Sequence, residues 1–198
     1  MLTFKLKSQN NYLADSPFEL IIEHLPPCCQ VKVRLDLDHY YNINAPMNLS
    51  SQAPWQAEAL FYSDDKGILD LSESNPYHNL SIMELFFKSQ PIACKKAKLS
   101  QQLESIPLNP FYDLKISIFK GHSLLGETSV RRYYQLPSIS CLDLNFSRAK
   151  GRFFYDKTSS QQPAIIVLSG SDGRIEKAQN IAQLLACLLY TSPSPRDS

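Results

Sequence analysis

Residues 31–38 read VKVRLDLD, with Val31, Val33, Leu35 and Leu37 alternating with Lys32, Arg34, Asp36 and Asp38. Successive side chains of a β-strand point to opposite faces, so this pattern predicts a strand with one face in a core and the other in water. Outward from it, WQAEALFY (55–62) repeats the arrangement with Trp55, Ala57, Ala59 and Phe61 on one face. DLKISIFK (113–120) does so again through Leu114, Ile116 and Ile118. Between these runs lie turn signals at Pro26-Pro27, Asp64-Asp65-Lys66-Gly67 and Lys120-Gly121-His122-Ser123. Short strands at this spacing, bounded by polar turns, predict a mainly β chain whose residues 1–150 form an antiparallel, immunoglobulin-like β-sandwich. One helical interruption is expected at LSIMELFFKS (80–89), where Leu85 and Phe86 follow Ile82 at three- and four-residue steps along a core-facing stripe.

After Gly151 the pattern changes. GRFFYD reads as a short strand, TSSQQP as a polar link, and AIIVL (164–168) as an apolar run of the kind found in a parallel strand covered on both faces. RIEKAQNIAQLLA (174–186) then places Ile175, Ala178, Ile181, Ala182 and Leu185 on one helical face. A strand, a turn and a helix make half of a βαβ unit, and one strand cannot make a parallel sheet. Residues 151–186 are therefore expected to be the incomplete start of a second domain. CLLYTSPSPRDS (187–198) departs from what precedes it and meets Pro193 and Pro195. Its first eleven residues match the translation of a transposase-type sequencing adaptor, so this stretch is set aside from fold reasoning and the natural sequence is expected to continue past Ala186.

Bulk properties narrow the function. Lys+Arg 20 against Asp+Glu 19 leaves a formal charge of +1 with no basic run, which argues against nucleic acid or an anionic membrane as a main partner. The apolar runs are too short to span a bilayer, and MLTFKLKSQNN has no apolar core of a secretory signal, so a cytoplasmic location is expected. Cys28, Cys29, Cys94, Cys141 and Cys187 form no C-x-x-C pair and read as small buried residues in a reducing compartment. His24, His39, His78 and His122 lack ligand-like spacing and read as surface or turn residues, so no metal is expected. Nothing in the sequence fixes an oligomeric state.

SGSDG (169–173) raises the sharpest chemical question. A serine on a strand-to-helix turn is the nucleophile-elbow arrangement Gly-x-Ser-x-Gly, and here Gly173 matches while Ser169 stands at the first glycine. Ser171 could be such a nucleophile, or Ser171 or Asp172 could cap the following helix.

The stretch WQAEALFYSDDKGILDL, through Trp55, Ala59, Phe61, Asp64, Gly67, Asp70 and Leu71, resembles the motif W-x-x-x-A-x-[FY]-x-x-D-x-x-G-x-x-D-[LV] of the type I acyl-CoA thioesterases and bile acid-CoA:amino acid N-acyltransferases. GRFFYDKTSSQQPAIIVLSGSDG is similar to that family's passage from a β-sandwich into an α/β-hydrolase domain, and the likeness runs over about residues 15–186. Two departures stand out: NPYHNLSIMELFF keeps only Pro76, Met83, Leu85 and Phe86 of the family's turn and helix, and Arg174 replaces a second glycine after Asp172-Gly173.

The resemblance implies acyl transfer from CoA to a Ser or Cys nucleophile, then to water or an amino acid, with a His base oriented by an acid. Those three residues are expected downstream of Ala186, so no catalytic residue is assignable here and the chain alone is expected to be inactive. The substrate implied is acyl-CoA, with no cofactor. Gly170, Ser171, Asp172 and Gly173 become candidates for backbone N–H donors of an oxyanion hole, where glycine lets the main chain approach the developing charge. A different class of function also fits the residues: a stand-alone β-sandwich binding or interaction module.

Overall fold

The computed structural model describes residues 1–8, 12–40, 53–73, 79–92, 109–147, 150–158, 163–168 and 175–191. The chain divides into two compact units, the first made of Met1–Tyr12, Ser16–Glu104 and Tyr112–Arg132, the second of Leu13–Asp15, Ser105–Phe111 and Tyr133–Ser198.

The first eight strands, which lie in the first unit except for the end residues Phe111 and Tyr133, are β1 (Thr3–Ser8), β2 (Phe18–Glu23), β3 (Gln30–Asp38), β4 (Trp55–Tyr62), β5 (Leu69–Asp70), β6 (Gln90–Pro91), β7 (Phe111–Lys120) and β8 (Ser123–Tyr133). They form a three-stranded sheet, β1-β2-β5, and a five-stranded sheet, β6-β4-β3-β7-β8. The alternation of residues 31–38 explains why β3 lies in the middle of the larger sheet. Val33 stands opposite Ala59 of β4 and Ile118 of β7, and Leu35 opposite Ala57 and Ile116, so three apolar faces coincide in one register. A slip of one residue would turn all of them toward water. Val31, Val33, Leu35, Leu37, Trp55, Phe61, Leu114, Ile116 and Ile118 are buried. The smaller sheet buries Phe18, Leu20, Ile22 and Leu69.

The other face of the five-stranded sheet carries charges in opposed pairs: Lys32–Glu58 at 3.2 Å, Lys115–Glu127 at 2.7 Å and Arg131–Asp113 at 2.8 Å. Lys32 and Arg34 both stand over the Phe119 ring, at 5.4 and 4.8 Å from its centroid. Exposed pairs contribute little each. Their effect is to keep the face solvated and electrically balanced.

Helix α1 (Ile82–Phe87) forms where its spacing predicted, with Ile82, Leu85 and Phe86 buried. Its start is a capping box. The Ser81 Oγ accepts from Glu84 N at 3.2 Å, and Glu84 Oε2 accepts from Ser81 N at 2.6 Å. The backbone N–H of Ser81, and then its hydroxyl, hold the Glu84 carboxyl below its ordinary range. A depressed folded-state value contributes stability that is present above the unfolded value and lost as pH falls through the folded one. Acid titration of stability is therefore expected to show a loss below the usual glutamate range that is smaller in Glu84→Gln; equal acid losses in the two proteins would contradict it.

In the second unit, β9 (Ile139–Asn145) and β10 (Lys150–Asp156) form an antiparallel hairpin, with Phe154 opposite Cys141. Residues 139–145, inside the span 1–150 expected to form the sandwich, pair with β10. Helix α2 (Ile175–Thr191) packs on this hairpin, around a cluster of Leu13, Ile139, Phe154, Ala186 and Cys187.

Two expectations are corrected here, the AIIVL strand and the inward face of the helix. AIIVL forms no strand: residues 163–168 carry no regular structure, and Ile166 and Leu168 are 84% and 83% exposed. A strand exists only through its hydrogen-bonded neighbours, and the described residues give this run none. Helix α2 continues past Ala186 through Thr191, and Cys187, in the stretch set aside, is fully buried. The helix also turns a different face inward. Ala178, Gln179, Gln183, Ala186 and Cys187 are buried while Ile181 is 43% exposed. Small alanines permit close approach to the hairpin, and the buried amides find partners: Gln183 Nε2 donates to Asn109 O and to Gln135 Oε1, both at 3.2 Å, and Gln179 Oε1 accepts from Arg152.

Candidate functional site

The motif running from Trp55 to Leu71 is the natural place to seek chemistry, and its geometry can be followed residue by residue. Trp55 opens β4 and meets the Tyr40 ring edge-on, with centroids 5.5 Å apart. Ala59 pairs with Val33, and Phe61 is fully buried. Asp64 then organises the turn into β5. Its Oδ1 accepts from Lys66 N at 2.9 Å and Ile68 N at 2.7 Å, its N–H donates to Ile68 O at 2.8 Å, and its carbonyl accepts from Cys28 N at 2.9 Å. Gly67 sits at φ +75° with its carbonyl accepting from Leu25 N at 3.0 Å. Asp70 Oδ1 accepts from Ser72 N at 2.9 Å. The N–H of Leu71 donates to Leu20 O and its carbonyl accepts from Ile82 N, both at 2.8 Å, so this residue ties β2 to the start of α1.

Each motif residue thus has a folding task. Asp64 is expected to be the most sensitive of the polar ones. Asp64→Ala leaves two turn N–H groups without their acceptor and is expected to cost about 1–2 kcal/mol, while Asp64→Asn, which keeps an oxygen in place, costs clearly less. Urea unfolding of both variants checks this, and equal losses would contradict the turn role.

A second cluster joins the sheets. Arg132 of β8 is 0% exposed and its guanidinium lies 4.7 Å from the Phe18 centroid and 5.8 Å from that of Phe86. It donates to Ser16 O. Tyr112 stacks on Phe86 at 6.1 Å and meets Tyr40 at 5.1 Å. Burial pushes both phenols above their ordinary range, against the opposing pull of the Arg132 charge, so neither ionises near neutral pH. The cluster is a buried cation held by aromatic faces. The sequence reading missed it, because Arg131-Arg132 looks like a solvated pair. The signal was the strand period, which puts Arg132 on the face opposite Arg131.

The sequence-predicted site residues Gly170, Ser171, Asp172 and Gly173 lie outside the described residues, as do His78 and Cys94. Asp113 and His122 are not brought together: Asp113 is clamped by Arg131 through two bonds of 2.8 and 3.1 Å near the start of β7, and His122 is in the turn beyond its other end. His24 Nδ1 is 3.2 Å from Thr3 Oγ1, and His39 Nε2 is 3.8 Å from Asp38. The four described cysteines are free thiols. Cys28 is exposed rather than buried, since it occupies the turn before β3. Burial raises the Cys141 and Cys187 thiols above their ordinary range, which keeps them protonated and poor nucleophiles. Among the described residues, no group of three or more His, Cys, Asp or Glu could hold a metal ion, and no helix is long and apolar enough to cross a membrane.

The fold and this motif define an antiparallel β-sandwich region in which the distinctive residues build the structure. A family model for the acyl-CoA thioester hydrolase/BAAT N-terminal region matches residues 15–146, and the chain belongs to that family. No curated protein matches it.

Proposed function

We propose that this chain is the N-terminal β region of an enzyme that cleaves acyl-CoA thioesters through an acyl-enzyme and passes the acyl group to water or to an amino acid. The observation that carries the reading is the family match over residues 15–146, which contains the whole Trp55–Leu71 motif. In this reading the nucleophile, base and orienting acid are supplied beyond Ala186, and the backbone of Gly170, Ser171, Asp172 and Gly173 contributes N–H donors to the oxyanion. Side chains and backbone carry this chemistry without a cofactor. Acyl-CoA is the partner, neither nucleic acid nor membrane is engaged, and the free thiols suit a reducing, cytoplasmic setting.

Residues 1–198 are expected to release no CoA thiol above the buffer rate from acyl-CoA thioesters of any chain length. Turnover that disappears in Ser171→Ala would overturn this and make Ser171 the nucleophile of an elbow. The stand-alone module reading draws on the first unit's own core, and specific, saturable binding of another macromolecule by residues 1–132 would favour it.

A further inference from the structure

No further inference is drawn: the strongest candidate, the outer face of the β9–β10 hairpin with exposed Leu142 and Phe153, carries nothing because the structure does not show what covers it.

Discussion

Gly67→Ala is expected to lower the stability of the first unit by about 3 kcal/mol or more, the largest loss expected from a methyl added at any described glycine. Two terms act together. A Cβ at Gly67 would stand 2.1 Å from the Leu25 carbonyl oxygen, far inside contact distance, and the residue's φ of +75° is one that L side chains rarely adopt. The oxygen is backbone, already aimed at this turn by the Leu25 N–H bond to Gly67, so no side-chain rotation relieves the clash. Gly121 separates the two terms. Its φ is +58°, also left-handed, yet a Cβ there meets nothing within 4 Å. Gly121→Ala therefore carries the conformational term alone and is expected to cost about 1 kcal/mol. The comparison is made by urea unfolding, with unchanged slopes showing that stability rather than compactness has moved. Equal losses at the two glycines would mean that the Leu25 contact contributes nothing.

The second large effect is expected at Arg132. Arg132→Lys should cost about 2–4 kcal/mol, because the flat guanidinium that lies over Phe18 and Phe86 is replaced by a compact, strongly hydrated ammonium in the same buried place. Arg132→Met fills a similar volume with no charge to bury and is expected to lose less than Arg132→Lys. The order of the two variants is the diagnostic. If lysine is tolerated better than methionine, the positive charge itself stabilises the cluster and the planar stacking does not. Changing Phe18 to Leu should narrow the gap between the two, since one of the rings that distinguishes arginine from lysine is gone.

These two sites show what kind of information the sequence carried. Strands β3, β4 and β7 were legible because their side chains alternate between a shared core and water, and period two is readable without knowing the neighbour. Helix α1 was legible for the same reason at a different period, while its Ser81–Glu84 capping box came only with the structure. The motif that carried the family resemblance named the right residues but not their work. Asp64 and Gly67 fall in a turn signal, but the partners that fix the turn, the N–H groups of Lys66 and Ile68 and the carbonyl of Leu25, are seen only in the structure.

The failures share a cause. AIIVL has the composition of a buried strand, but composition does not supply the strand that would pair with it. The inward face of α2 was misjudged because hydrophobicity ranks Ile181 above Gln179 and Gln183. The amides are buried all the same, since Arg152 donates to Gln179 Oε1 and the Asn109 carbonyl and Gln135 Oε1 receive Gln183 Nε2, all at positions remote in sequence. Arg132 is the same lesson in the sandwich: a charged residue goes inside when aromatic faces from two other elements receive it. The candidate oxyanion residues 170–173 fall outside the described residues, so their legibility rests on the family resemblance alone.

The central claim is that the Trp55–Leu71 motif, which lies inside the family-matched residues 15–146, acts by holding the sandwich together. Amide hydrogen exchange of residues 1–198, read peptide by peptide, addresses it most directly. The account predicts that the N–H groups of Ile68 and Leu71 exchange slowly, together with those of β3 and β4, while residues 163–168 exchange at the rate of an open chain. Rapid exchange across residues 64–71 beside a protected β3 would contradict it, because the motif would then be a mobile appendage of a core that stands without it.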